Sequence, residues 1–157
     1  MTPPILPNCK PVRSSTVSST GSRGHAFESQ IDKLIAYVQS KGFHGHKNHP
    51  RRTKDGTYLE GEPYDYEIFT PHYKCAFDAK ESKAEKWQLQ NAKLHQINHL
   101  KQCKNAGLDA YFLVYFYPSR QMIRFDVDQI IRSLTEGETY LTAKDGEVFD
   151  LRNKIEN

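Results

Sequence analysis

Asp78-Ala79-Lys80 sets a carboxylate and an ammonium two residues apart in a run of strand-forming residues, Tyr73 to Lys80. In an extended strand, residues i and i+2 lie about 7 Å apart on one face. Asp78 and Lys80 therefore share a face, with Lys74 and Ala76, while Tyr73, Cys75, Phe77 and Ala79 point the other way. Asp65 stands 13 residues before Asp78 in a second strand-like stretch. A turn at Thr70-Pro71-His72 lets the two stretches pair antiparallel and places Asp65 across from Asp78. Two converging carboxylates suit a hard divalent cation such as Mg²⁺, and an adjacent ammonium can orient a water or balance developing negative charge. Phosphodiester hydrolysis needs that combination. Taken alone, the triplet also reads as a solvated strand end with a local ion pair.

The elements that must hold these residues follow from periodicity. Residues 1–22, with Pro3, Pro4, Pro7 and Pro11 and then a Ser/Thr-rich stretch, read as a flexible tail, and residues 23–157 as a single domain. Phe27, Ile31, Leu34, Ile35 and Val38 recur at helical spacing up to Gly42, which predicts a helix over 25–41. Residues 43–63, rich in Gly, Pro and charge, predict irregular chain or a short hairpin. Strands follow at 64–69 and 73–80, then a helix over 91–106 with Gln96, Ile97, Leu100 and Cys103 facing inward. Ala110–Phe116 is apolar throughout and predicts a central strand covered on both faces. Ile123–Phe125 pairs beside it, and Asp126 caps a third helix with a stripe of Val127, Ile130, Ile131 and Leu134. Lys144-Asp145-Gly146 marks a small hairpin before a polar end. The alternation of helices and strands predicts an α/β architecture, a sheet flanked by helices.

A net charge of +3, with 26% charged residues, permits a polyanionic partner without demanding one. Three cysteines, Cys9, Cys75 and Cys103, form no CxxC pair or disulfide framework, and fit a reducing cytoplasmic setting. No apolar run reaches the roughly 20 residues of a membrane span, and no export signal is evident. Glu28 reads either as a helix-start carboxylate or as a group aimed at the sheet edge; Gln96 reads as a boundary amide or a buried one needing partners. His44, His46 and His49 lack the further ligands of a zinc site and read as a basic loop. Arg51, Arg52 and Lys54 in that loop, with Lys83, Lys86 and Lys93 after the Asp78 strand, are candidate phosphate contacts or ordinary solvated charges. Trp87 reads as base-stacking or as core, and Tyr111, Tyr115 and Tyr117 as strand packing.

The order Glu28, Asp65, Asp78-Ala79-Lys80, Gln96 is similar to the PD-(D/E)XK nuclease plan. The segment Phe77-Asp78-Ala79-Lys80-Glu81-Ser82-Lys83, followed by His95-Gln96-Ile97, resembles the RecU-type Holliday junction resolvases over roughly residues 23–132, with Gly24, Phe27, Glu28 and Ile31 fitting the opening helix. The resemblance implies a restriction-endonuclease-like mixed central sheet flanked by helices. It also implies a Mg²⁺ cofactor that Mn²⁺ can replace, branched DNA (a four-way junction) as substrate, and a homodimer. By the same resemblance Asp65 and Asp78 are metal ligands, Lys80 is the catalytic lysine, and Glu28 and Gln96 are supporting residues. Asp78 stands where the family usually has Glu, Tyr64 where it tends to have Thr, and Glu67-Ile68 where Asn-Gly is common. The stretch between the first helix and Asp65 looks shorter than the family's stalk. Cleavage of flaps, nicks or duplex, and inert structure-specific binding, remain alternatives.

Overall fold

In the computed structural model, residues 19–48, 51–52, 58–59 and 64–156 are described, with side chains from Phe27 onward except at 51–52 and 58–59. The first helix, α1 (Ser19–Ser40), starts within the predicted tail, so residues 19–22 are helical; residues 1–18 lie outside the described residues. Strand β1 (His44–Lys47), the short pair β2 (Arg51–Arg52) and β3 (Tyr58–Leu59), β4 (Tyr66–Phe69) and β5 (Lys74–Ser82) follow. Next come β6 (Lys86–Gln88), α2 (Leu94–Asn105), β7 (Asp109–Phe116), β8 (Gln121–Asp126) and α3 (Val127–Thr135). The chain then forms β9 (Tyr140–Thr142), β10 (Glu147–Val148) and α4 (Leu151–Glu156).

The main sheet is mixed, in the order β1-β4-β5-β7-β8-β10, with β5 and β7 parallel and every other pair antiparallel. The parallel pair needs a long crossover, and α2 lies within it. Alternation along β7 divides the core. Tyr111 and Leu113 face α1 and α4, together with Cys75, Phe77 and Ile68. Ala110, Phe112, Val114 and Phe116 face α2 and α3, together with Ala76, Ile123 and Phe125. The result is a three-layer sandwich, in which each fully buried Phe, Ile or Leu contributes roughly 1.5–3 kcal/mol.

Helix ends follow the glycines. At Gly42 (φ 87°), Phe43 N–H donates to Val38 O and Gly42 N–H to Gln39 O, and Gly107 (φ 104°) closes α2 in the same way. This left-handed stop satisfies terminal carbonyls at a conformation that favours glycine. Asp126 caps α3 as expected, its Oδ2 accepting from Asp128 N–H at 2.9 Å.

Several expectations are corrected. Residues 44–47 form an edge strand, because Gly45 lets β1 approach α1 closely; a Cβ there would lie 3.3 Å from Ile35 O and Val38 Cγ1. Residues 51–52 and 58–59 do form the short hairpin. The stripe of α3 is rotated: Ser133 is buried and Leu134 is 40% exposed. Residues 143–145 form a short turn of helix instead of a hairpin tip, and β10 pairs with β8. The C-terminal stretch is not wholly polar in its packing, since Leu151 and Ile155 of α4 enter the α1 core. Trp87 is core, stacked on Phe125 and held in the small β6–β9 sheet. Among the described residues, no helix is long and apolar enough to cross a membrane.

Candidate active site

The β4–β5 register pairs Tyr66 with Phe77, so Asp65 and Asp78 are the next residues beyond the last bonded pair. Opposed residues of an antiparallel pair share a face. Past the end of the ladder, the Ala79 N–H donates to Asp65 Oδ2 at 3.0 Å. The Asp65 carbonyl accepts from Asn48 N–H at 2.7 Å, and Asn48 Nδ2 donates to Tyr64 O at 2.8 Å. Asp65 is thereby fixed at both its backbone and its carboxylate.

Asp78 is 1% exposed, and neither of its carboxylate oxygens accepts a directed hydrogen bond. Lys80 Nζ lies 3.1 Å from Asp78 Oδ2, an ion pair by distance, with the lysine side chain 19% exposed. Burial, and secondarily the charge of Asp65, pushes the Asp78 carboxyl up from 3.8 to about 7 against the opposing pull of Lys80. A buried acceptor left without a partner is costly, and a buried carboxylate more so. Two carboxylates held together at that cost are groups that could hold a hard divalent cation. Among the described residues no third His, Cys, Asp or Glu completes an all-protein cage.

The other expected residues divide. Glu28 is exposed on α1, with no hydrogen bond or ion pair joining it to Asp65, Asp78 or Lys80. Its nearest link to them is Tyr66, whose hydroxyl donates to Asp32 Oδ1 at 3.2 Å and is made less acidic by burial, then by Asp32, Glu28 and Asp65. Gln96 occupies the first turn of α2, and its Oε1 accepts from Lys93 N–H at 3.1 Å, so it caps its own helix. Lys83 and Lys86 are exposed just beyond β5, and Lys86 Nζ lies 4.4 Å from the centre of the Tyr140 ring. Arg51 and Arg52 lie on β2, their side chains outside the described residues, as is Lys54 altogether. His44 and His46 sit on the edge strand, not in a loop, and His49 is outside the described residues. Asn48, Asp32 and Tyr66 were missed as neighbours of the site. Asp32 was legible as the residue one helical turn after Glu28; Asn48 had no local signal, because its role depends on β1 pairing with β4.

The chain also resembles known proteins. The Holliday junction resolvase RecU of Levilactobacillus brevis is 26% identical over 126 residues, which cover 69% of this chain and 62% of that protein. The chain thus spans less than two thirds of this relative's length. A solved structure of Hjc, a Holliday junction resolvase from Archaeoglobus fulgidus, superposes with a TM-score of 0.50 at 17% identity, covering 75% of this chain and 92% of that one, and supports the fold. The profile of the family described as Recombination protein U, RecU, matches residues 22–145. Since that match spans most of the chain and takes in most of α1 with Asp65, Asp78 and Lys80, the chain belongs to the RecU family.

Proposed function

We propose that this chain is a divalent-metal-dependent endonuclease that resolves Holliday junctions by phosphodiester hydrolysis. The observation that carries this reading is the buried Asp78 carboxylate, its oxygens without directed hydrogen bonds, beside Lys80 and across from Asp65. Asp65 and Asp78 would hold the cation, Mg²⁺ by preference and Mn²⁺ as a substitute. A cation held there supplies the positive charge that water activation and departure of the leaving oxygen both require.

The remaining work falls to the chain. The Ala79 N–H keeps the Asp65 carboxylate turned toward Asp78. Lys80, leashed near Asp78, presents N–H donors where an attacking water or a non-bridging phosphate oxygen would sit, and its charge opposes that accumulating on the phosphorus oxygens. The Gln96 cap fixes the start of α2, and Asp32 on α1 accepts from the Tyr66 hydroxyl at the start of β4, the charge of Glu28 acting on that same hydroxyl. Support for a branched substrate comes from the RecU relative and the family match. A four-way junction requires two paired incisions, for which a homodimer with two-fold symmetry supplies two sites.

The test compares a mobile four-way junction with a linear duplex of the same sequence, each with Mg²⁺, with Mn²⁺ and with chelator. Wild-type protein should nick two opposed junction strands only with metal and leave the duplex largely uncut, while Asp78→Asn binds the junction without cutting it. Equal cutting of both substrates would reassign the chain as a general duplex nuclease. Wild-type rates in Asp78→Asn would sink the site assignment. Sedimentation velocity should show a dimer, and a monomer that still makes paired cuts would overturn the symmetry argument.

A further inference from the structure

The face of the sheet that carries Asp65 and Asp78 packs against α2 and α3 over β5, β7 and β8. Toward the β1 edge the described residues leave it open. The His44 side chain is 47% exposed, His46 is exposed, and Phe69 is partly so. Strand register orders this face into rows that run from buried at β5 to open at β1. Asp65 and Asp78 begin it; the next row is His46, Glu67 and Ala76; the one beyond is His44, Phe69 and Lys74.

Three rings adjoin in the outer rows, one pair across β1 and β4 and the other along β1. Phe69 and His44 stack with centroids 4.9 Å apart and planes 23° apart. His44 and His46 follow at 6.1 Å and 24°. We propose that Phe69, His44 and His46 form a nucleobase-stacking platform for unpaired nucleotides of a DNA strand whose phosphate lies at Asp65 and Asp78. This rests on the nuclease reading above and adds the partner's form, unstacked bases next to the cut.

The geometry favours bases over other occupants. His46 and His44 are same-face residues two apart on β1, about 7 Å of strand, so the platform runs outward from the row next to Asp65 and Asp78 and turns onto β4 at Phe69, the partner of His44. Rings stacked on one another cover their shared faces, so a base adds at an uncovered face of the row, and a π-face accepts any base, which suits an enzyme that meets branch points of many sequences. Glu67, the carboxylate within the platform, is held away from incoming phosphate: Oε2 meets His44 Nε2 at 2.9 Å and Oε1 accepts from the Tyr64 hydroxyl at 2.7 Å. Farther along the chain, the sequence after β1 continues into the basic run His49-Pro50-Arg51-Arg52, complementary to a phosphate backbone. Polar rings on an edge strand also discourage sheet-to-sheet pairing. That bland role predicts no effect of these rings on DNA affinity.

The experiment measures binding by fluorescence anisotropy with Ca²⁺ in place of a catalytic metal, using two probes: a single-stranded oligothymidylate and a linear duplex of equal length. His46→Ala should weaken oligothymidylate binding roughly tenfold, within the range per stacked base, and change duplex binding by less than about twofold. His46→Phe should restore the single-strand affinity, whereas His46→Leu, with bulk but no ring, should not. His46 is exposed, so these variants should melt like wild type; Phe69→Leu repeats the test from the other end of the ring row. Equal weakening of both probes, or failure of His46→Phe to restore binding, overturns the platform. A wild-type protein that cuts junctions while His46→Ala binds oligothymidylate like wild type overturns the platform alone. One that neither binds nor cuts DNA overturns the nuclease reading as well.

Discussion

Replacing Asp78 by Asn should stabilise the metal-free protein while removing cleavage. The Asp78 carboxyl is 1% exposed and pushed up from 3.8 to about 7, first by burial and then by Asp65. Its folded-state pKa is raised, so between pH 4 and 7 the folded chain holds a proton that the unfolded chain has released. Stability therefore falls as pH rises through that window and levels off above about 7. A carboxyl displaced that far forfeits roughly 4 kcal/mol of folding free energy once ionised. Asparagine keeps the shape and avoids the ionisation. It leaves a buried amide poorly paired, at about 1–3 kcal/mol, and Lys80 without its counter-ion. The net gain at pH 8 should be about 1–2 kcal/mol.

Urea denaturation in chelator, followed by circular dichroism at pH 8, 6 and 4.5, measures this directly. The advantage of Asp78→Asn should be largest at pH 8 and vanish or reverse by pH 4.5. Saturating Mg²⁺ should raise the midpoint of wild type and leave that of the variant nearly unmoved, since a ligand stabilises only the state that binds it. A variant less stable than wild type at pH 8 in chelator, or an advantage equal at every pH, would refute the argument that Asp78 is a carboxylate held at a cost until a cation arrives.

Three further perturbations probe other parts of the structure. Lys80→Met removes the cation that opposes burial of Asp78, so it should destabilise the metal-free protein at pH 8 by about 1–3 kcal/mol, less at pH 5, and abolish cleavage; denaturation at the two pH values and a junction assay check both. Asp126→Ala removes the α3 cap and a partner of Lys104 and Arg124, and should cost about 1–2 kcal/mol, read as a lowered melting temperature. Gly146→Ala would place a Cβ 2.6 Å from Ile123 Cγ2 and 2.7 Å from Arg124 O, and should destabilise by about 1–3 kcal/mol, measured by the same melt; an unchanged melting temperature would mean the β8–β10 junction gives way easily.

What the sequence made legible was whatever local spacing alone decides. The five apolar residues of α1 recur at helical spacing because one face must be buried, and the apolar run of β7 announces a strand with neighbours on both sides. Asp78 and Lys80 share a face by strand alternation, and Asp65 comes opposite through a short antiparallel connection, so the centre of the site was open to local reasoning. The edges were not. His44-Gly45-His46-Lys47 contains no large apolar residue and becomes a strand only because β4 offers hydrogen bonds and α1 leaves room for a glycine. Leu151 and Ile155 are apolar residues in a polar tail, and their helix is justified by a core that joins β7 to α1, the latter more than a hundred positions earlier. Glu28 and Gln96 belong between these cases: spacing put them on the right helices, but side-chain direction depends on the local caps and ion pairs. Gln96 turns back to Lys93, and Glu28 bears on Tyr66 beside its helical neighbour Asp32. The proposed chemistry is thus concentrated where two strands decide the geometry, while the proposed ring platform depends on β1, which exists only because the rest of the fold is already in place.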